Sequence, residues 1–313
     1  MYSSGPEDMP DNLPLACPRC HALLERSEPG ELRCPGDGLC FARVDGIWRF
    51  LLPERVSLYE QFVREYETVR RAEGRGADNP AYYRALPYQD LSGRTPTDWK
   101  IRAVSFDAFV AKALAPLEQH SPALRVLDLG AGNGWLSNRL AQRGHAVAAV
   151  DLSVNDFDGL GCHRYYDTVF APLQAEFDRL PFPDRSADLV IFNASLHYSI
   201  RIHDTLAEAI RLLKPRGRLV ILDSPVYADA ASGKKMVSER EDQFSKRFGF
   251  PSNALPSENY LTYDHLGELG SALRIHWQLI TPHYGLSWAF RPLKAKLLRR
   301  REPAKFHLII GWQ

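Results

Sequence analysis

The stretch Val126-Leu-Asp-Leu-Gly-Ala-Gly-Asn-Gly-Trp135 decides the fold of this 313-residue chain. Its apolar first half predicts a buried strand at residues 125–129, and an amphipathic helix pattern begins at Trp135, directly after the glycines. A doubly wound α/β sheet presents backbone N–H groups to a ligand through this order of strand, glycine turn and helix. The apolar run at residues 145–150 predicts a second buried strand, which ends at Asp151.

The spacing of the glycines and the nearby acidic residues narrow the choice of ligand. In the dinucleotide fingerprint G-x-G-x-x-G the third glycine comes one residue later than Gly134 does here, which argues against NAD, the alternative cofactor. Asp128 precedes the turn, and a carboxylate there repels a pyrophosphate but attracts a sulfonium. Asp151 stands where a carboxylate can accept both hydroxyls of a ribose. A glycine turn that only packs a helix against a strand is the remaining interpretation.

Two segments carry a family resemblance. Residues 127–134 resemble the first motif of the class I S-adenosylmethionine-dependent methyltransferases, and residues 173–184 resemble the third strand and loop of their small-molecule branch. The resemblance implies that Glu176 accepts from the adenine amino group and that the Phe177 N–H donates to the adenine ring. It implies S-adenosylmethionine as cofactor, bound by Asp128, Gly130, Ala131, Gly132, Gly134, Asp151, Leu152, Glu176, Phe177 and Asn193.

The order of predicted elements gives the fold class. Strands and helices alternate from Arg125 to Asp223, which predicts a parallel sheet with helices on both faces. Residues 274–281 and 306–312 predict two more strands, and the resemblance implies that they form an antiparallel hairpin at the sheet edge. We therefore predict an α/β, doubly wound, mostly parallel seven-stranded sheet of the Rossmann-like methyltransferase type, occupying residues 117–313.

His197 and Tyr198 are the candidate catalytic residues. They follow the apolar run 188–193, whose carboxyl end lies over the cofactor if the fold is right. A hydroxyl, phenol or amine acceptor must lose a proton, and His197 is a candidate base for it. The alternative is that His197 only caps or packs the next helix.

Four of the five cysteines, Cys17, Cys20, Cys34 and Cys40, lie close to the N-terminus. Paired thiolates are typical of tetrahedral zinc, although the second pair here is spaced C-x5-C. Disulfides are the alternative, and we disfavour them because residues 1–16 lack the apolar core of a signal peptide. Residues 1–55 resemble the small zinc-ribbon domain that activates, or is fused to, methyltransferases. Aligning them on Asp45-Gly46-Ile47 places Asp37 at the fourth ligand, but we predict Cys40 because thiolate is the softer ligand.

Residues 56–116 predict a helical lid or linker. Leu58, Phe62, Tyr66 and Val69 recur at helical spacing, and an aromatic stretch follows from Tyr82 to Trp99. These rings either pack the helical lid or wall the acceptor pocket, and in the second case the acceptor lies between them and the carboxyl edge of the sheet.

Composition bounds the partners. The net charge is +1, so charge gives no general case for nucleic acid, and no run of about twenty apolar residues predicts a membrane span. We expect a cytoplasmic protein. The basic residues at 291–301 predict either a solvated face or a phosphate contact.

Three functions are compatible with the sequence. The first, which we favour, is methyl transfer from S-adenosylmethionine to a small-molecule acceptor. The second is an rRNA or tRNA methyltransferase in which the ribbon and the basic patch bind RNA, as the resemblance to rRNA guanine-N1 enzymes with an N-terminal ribbon implies. The third is a non-catalytic module that binds a cofactor or a partner. The sequence identifies neither the acceptor atom nor the oligomeric state.

Overall fold

The computed structural model describes residues 13–313, so the first twelve residues of the predicted ribbon lie outside the described part of the chain. The strands are β1 (Glu25–Glu28), β2 (Glu31–Arg33), β3 (Cys40–Val44), β4 (Ile47–Arg49), β5 (Arg125–Leu129), β6 (Ala146–Asp151), β7 (Ala171–Gln174), β8 (Ala187–Asn193), β9 (Leu213–Leu222), β10 (Pro225–Tyr227), β11 (Leu261–Thr262), β12 (His276–Ile280), β13 (Lys305–Phe306) and β14 (Leu308–Trp312).

The helices surround the strands. They are α1 (Val56–Ala72), α2 (Pro80–Ala85), α3 (Pro96–Phe109), α4 (Ala115–Glu118), α5 (Trp135–Gln142), α6 (Ile202–Leu212), α7 (Ala230–Phe248), α8 (Tyr263–Leu273), α9 (Leu286–Ala289) and α10 (Arg291–Leu297). One π-helical turn, Val110–Leu114, joins α3 to α4. Within residues 13–313 no helix is both long and apolar enough to cross a bilayer.

The central sheet has the predicted seven-stranded form. Its strands follow the order β7-β6-β5-β8-β9-β14-β12. The pairs from β7 to β9 are parallel, and β14 runs antiparallel to both β9 and β12. The fold class predicted from the strand–helix alternation is therefore confirmed, including the antiparallel hairpin at the edge.

Two apolar layers cover the two faces of this sheet. Alternate strand residues point to opposite faces, so Val126 packs in one layer and Leu127 in the other. The layer that contains Val126 holds α2, α3 and α5, and the layer that contains Leu127 holds α6 and α8. Burial on both faces explains why β5 and β8 are almost continuously apolar.

The ribbon strands continue the same sheet. β4 pairs in parallel with β7, where Trp48 lies opposite Leu173, and the Phe50 N–H donates to the Gln174 carbonyl at 2.8 Å. β3, β2 and β1 then extend the sheet outward from β4 in that order. The ribbon and the α/β domain consequently share one sheet and one apolar core, which residues such as Trp48 and Leu173 build together.

Candidate active site and metal centre

The glycine turn after β5 has a geometry that only glycine satisfies. Gly130 has a φ of +78°, and a Cβ placed on it would lie 2.2 Å from the Cβ of Ser195. Gly132, with a φ of +55°, donates its N–H to the Asp151 carboxylate at 2.8 Å. Gly134 has a φ of +80° at the start of α5, and a Cβ placed on it would lie 2.8 Å from the Phe170 ring. Glycine therefore lets the turn pack closely against Asp151 at the end of β6 and Ser195 just after β8.

A pocket of about 880 Å³, including its open mouth, lies at the carboxyl ends of β5 to β8. Six of the ten residues predicted to bind the cofactor line it: Gly130, Gly132, Asp151, Leu152, Glu176 and Phe177. The other four, Asp128, Ala131, Gly134 and Asn193, do not belong to its lining. This is the edge at which open parallel sheets bind ligands.

Asp151 is fixed at the end of β6. One carboxylate oxygen accepts from the Gly132 N–H and the other from the Ser153 N–H, both at 2.8 Å. Burial raises the pKa of Asp151 above its usual value. Each carboxylate oxygen has a second lone pair, so Asp151 can still accept from a ligand hydroxyl in the pocket.

Glu176 already carries partners that the sequence did not reveal. Its Oε2 accepts from the Tyr59 hydroxyl at 2.6 Å and from Arg55 Nη2 at 2.7 Å, while Arg55 Nε is shared between both oxygens at 3.0 and 3.1 Å. Only 2% of the Glu176 side chain is exposed. Oε2 is therefore saturated, whereas Oε1 can take a further donor. The ion pair between Arg55 and Glu176 also ties the start of α1 to the loop that follows β7.

Asp128 differs from the sequence expectation. It is buried behind the turn, where its Oδ2 accepts from the Ser137 hydroxyl of α5 at 2.7 Å and its Oδ1 has no hydrogen-bond partner among the described residues. Burial raises its pKa to about 7. Because it does not line the pocket, Asp128 supports the turn from behind rather than contacting a sulfonium.

His197 also differs from the prediction that it is the base. It is buried, its Nδ1 lies 3.2 Å from the Ser224 hydroxyl, and it is absent from the pocket lining. Burial, together with Arg240 and Arg102, lowers its pKa to about 3. His197 therefore packs against Tyr198, with ring centroids 4.4 Å apart, and Tyr198 lines the pocket.

The aromatic wall of the pocket comes from α1 and not from residues 82–99. Tyr82, Tyr83 and Trp99 are buried in the layer around α5, and Trp99 packs edge-on against Trp135. The pocket is lined instead by Tyr59, Phe62, Val63 and Tyr66 of α1, at the helical spacing visible in the sequence. The alternative in which residues 82–99 wall the pocket is wrong, because those rings fill the space between the lid and the sheet.

Comparison with known proteins identifies the central part of the chain. A family model described as "Methyltransferase domain" matches residues 127–221. These residues run from β5 to β9 and include the whole glycine turn. Residues 127–221 form a methyltransferase domain.

Two relatives extend this similarity. The demethylmenaquinone methyltransferase of Tropheryma whipplei (strain Twist) is 34% identical over 100 residues, which are 31% of this chain and 41% of the relative. The ubiquinone/menaquinone biosynthesis C-methyltransferase UbiE of Azotobacter vinelandii is 30% identical over 159 residues, which are 49% of this chain and 59% of the relative. The chain thus spans between two fifths and three fifths of the length of these two relatives.

Among solved structures, an S-adenosylmethionine-dependent methyltransferase from Mesorhizobium loti matches with a TM-score of 0.43 and 20% identity. The match covers 65% of this chain and 97% of that one.

A second cavity adjoins the pocket of the methyltransferase domain. It shares Phe62, Tyr66, Tyr198 and Leu255 with the first pocket, and it adds Arg70, Arg75 and Arg240. Arg70 pairs with Asp158 and Arg75 with Asp98.

Arg240 is the exception among these three arginines. Its Nη1 donates to the Asn259 side chain at 3.1 Å, but its buried Nε and Nη2 have no partner among the described residues. Acidic residues flank Arg240 in the sequence, and no local pattern distinguishes it from these neighbours.

The metal-ligand cluster lies in the ribbon, ahead of the methyltransferase domain. The ligand atoms of Cys17, Cys20, Cys34 and Asp37 all lie within 4.8 Å of one another. Cys20 and Cys34 have their sulfurs 3.3 Å apart, and the Cys17 thiol donates to Asp37 Oδ2 at 3.2 Å. Three sulfurs and a carboxylate oxygen are donors that zinc accepts. All five cysteines are free thiols, so the structure contains none of the disulfides considered as the alternative.

Cys40 stands outside this cluster, which corrects the predicted fourth ligand. Cys40 begins β3 opposite Arg33 of β2, and its neighbour Phe41 points into the core. Because side chains alternate along a strand, Cys40 must point outward, and it is exposed. The turn before it, with Gly38 at a φ of +74°, returns Asp37 to the three thiols.

Proposed function

We propose that the protein is a methyltransferase that transfers a methyl group from S-adenosylmethionine to a small-molecule acceptor. The observation that carries the proposal is the pocket in which Gly130, Asp151 and Glu176 face the aromatic wall of α1. The names of the two relatives describe a demethylmenaquinone methyltransferase and a C-methyltransferase of ubiquinone/menaquinone biosynthesis. These names favour a small acceptor over a macromolecule.

The residues present fit this cofactor. Asp151 offers carboxylate lone pairs to the ribose hydroxyls, Gly130 leaves the backbone open beside them, and Glu176 Oε1 offers an acceptor to the adenine amino group. When bound, the cofactor supplies an electrophilic methyl group on a positively charged sulfur. Tyr66 and Tyr198 line the same pocket, and aromatic rings there would favour a positively charged group over water.

We infer that catalysis rests mainly on positioning. His197 is buried, lies outside the lining of both cavities and has a pKa that burial lowers, so it is poorly placed to receive the acceptor's proton. Alignment of reacting groups in a closed site can by itself lower a barrier by roughly 7 kcal/mol or more. Tyr198, which separates the two cavities, is the side chain best placed to align an acceptor.

We place the acceptor in the second cavity. Phe62, Tyr66 and Leu255 provide an apolar bed for a ring or chain, and the unpaired Arg240 nitrogens require an acceptor group on the ligand. Buried N–H groups without an acceptor are costly, and a carboxylate, phenolate or enolate oxygen would accept from Arg240 Nε and Nη2. The acceptor we propose is therefore a small, partly apolar molecule with a mildly anionic group.

We also propose that zinc binds to Cys17, Cys20, Cys34 and Asp37 and has a structural role. The ribbon has only short strands, and a metal would hold its two loops together. We also propose a cytoplasmic location, because thiolates that hold zinc must stay reduced.

Calorimetry followed by a labelled-methyl assay tests the proposal. We expect S-adenosylmethionine to bind the wild type, and Asp151→Ala to weaken binding by about 1.5 to 3 kcal/mol through lost hydrogen bonds. Asp156→Ala is the matched control, because Asp156 is exposed and absent from the pocket lining. The label should appear in a metabolite extract. Binding of NAD instead, or label that appears only in total RNA, would overturn the respective part of the proposal.

A further inference from the structure

An exposed apolar stripe runs along α9 and α10, outside the methyltransferase domain. Five large apolar side chains in this segment are between 50% and 75% exposed: Leu286, Phe290, Leu293, Leu297 and Leu298. Soluble surfaces usually expose such side chains singly, and a contiguous group indicates an interaction site. We call residues 285–300 the amphipathic segment.

The stripe is continuous across the two helices. Phe290 joins α9 to α10 with helical backbone angles, its N–H donates to the Leu286 carbonyl, and its own carbonyl accepts from the Lys294 N–H. With 3.6 residues per turn, Leu286, Phe290, Leu293 and Leu297 fall within an arc of about 60°. Lys294 and Lys296 lie on either side of this arc, at roughly 80° from its centre.

The charges around the stripe all have one sign. Residues 283–301 contain six Lys and Arg residues and no Asp or Glu. Lys294, Lys296, Arg299 and Arg300 make no ion pair within residues 13–313, whereas Arg301 pairs with Glu239 of α7. Four cations beside an apolar stripe are thus free to bind an anionic surface.

We propose that the amphipathic segment binds the surface of an anionic lipid bilayer. A helix that lies in a membrane interface buries an apolar face among the acyl chains and directs flanking lysines to the headgroups, which is the pattern seen here. Nucleic acid would use the cations but leave the leucines exposed to water. A second copy of the chain would bury the leucines but bring two sets of unpaired cations together.

One ion pair links the end of this segment to the helix that contributes Arg240 to the proposed acceptor cavity: Arg301, which follows the segment, pairs with Glu239 of α7. The membrane contact itself does not depend on the proposed function.

Sedimentation of the full chain with lipid vesicles tests the proposal. We expect binding to vesicles that contain phosphatidylglycerol and much weaker binding to phosphatidylcholine alone. Phe290→Ser with Leu297→Ser should weaken binding at least about tenfold, because two large apolar side chains no longer enter the lipid. Lys294→Gln with Lys296→Gln should weaken it by about fivefold for each lysine, and added salt should do the same.

The controls keep the outcomes distinct. Leu23→Ser with Val169→Ser removes two equally exposed apolar side chains elsewhere and should leave vesicle binding unchanged. Calorimetry with S-adenosylmethionine reports whether each variant keeps its folded cofactor site. The proposal is wrong if the wild type ignores anionic vesicles, or if the serine variant binds them like the wild type. It is also wrong if the stripe proves to be a dimer contact by sedimentation velocity, or if the segment binds RNA and not lipid.

Discussion

Gly130→Ala adds one methyl group at the point where the glycine turn meets β8. The new Cβ would lie 2.2 Å from the Ser195 Cβ, whereas carbon atoms in contact need about 3.5 Å. Ser195 cannot move away freely, because its hydroxyl donates to the Leu129 carbonyl at 2.5 Å. The substitution must therefore shift the turn or the segment that follows β8. Gly130 of the turn and Ala194 and Ser195 of that segment line the pocket.

The magnitude follows from two separate costs. Alanine at a φ of +78° costs roughly 1 to 2 kcal/mol in the left-handed region, and overpacking adds about 1 to 3 kcal/mol. Gly144→Ala is the matched control, because Gly144 has a φ of +90° but open space where its Cβ would lie. We expect Gly130→Ala to lower the free energy of unfolding by about 2 to 5 kcal/mol and Gly144→Ala by about 1 to 2 kcal/mol.

Urea denaturation and calorimetry with S-adenosylmethionine measure the two effects separately. Gly130→Ala should weaken cofactor binding at least about tenfold, or 1.4 kcal/mol, because the displaced backbone lines the pocket. Gly144→Ala should bind the cofactor like the wild type. If the two variants are equally stable and bind the cofactor equally well, the contact between the turn and Ser195 does not shape the site as argued here.

Three further predictions concern buried charge and metal. The native protein holds the Asp128 proton up to about pH 7 while the unfolded chain releases it near about pH 4, so the free energy of unfolding falls as pH rises through this window. Asp128→Asn should remove that fall, by up to about 4 kcal/mol, in urea denaturation at a series of pH values. Asp37→Ala should lose bound zinc in elemental analysis and Cys40→Ala should keep it; the reverse result would restore Cys40 as the ligand. Arg240→Met should raise the KM for the acceptor, because it removes the proposed partner of the acceptor's anionic group, whereas Lys246→Met, on the exposed side of α7, should leave the KM unchanged.

The fold was predictable because its signals are local. The glycine turn and each apolar strand beside it lie within a few consecutive residues. The alternation up to Asp223 is a series of such local patterns. The edge hairpin followed from the resemblance, and the observed antiparallel pairing of β12 with β14 agrees with it. The turn also located Asp151 correctly at the pocket, because a strand end fixes its last side chain.

The site was less predictable where its contacts join residues that are far apart in the sequence. Glu176 meets Arg55, 121 residues earlier in the chain, and no spacing rule connects the two. The sequence patterns around Tyr66 and Tyr82 are compatible both with core packing and with lining a pocket. Only the way these segments dock on the sheet decides that Tyr66 lines the pocket and Tyr82 packs in the core. The fourth ligand depended on the register of β2 with β3, which directs Cys40 outward.

The pairing of β4 with β7 has a consequence for how the protein avoids aggregation. Without β4, the buried residues of β7 would form an open sheet edge, and an open edge readily accepts a strand from another molecule. The outermost strand in the structure is instead β1, whose sequence Glu-Arg-Ser-Glu is fully exposed and mostly charged. Charged side chains on an edge strand oppose such addition. A polypeptide shortened to begin after residue 55 should therefore self-associate through β7, even if its own α/β core were intact.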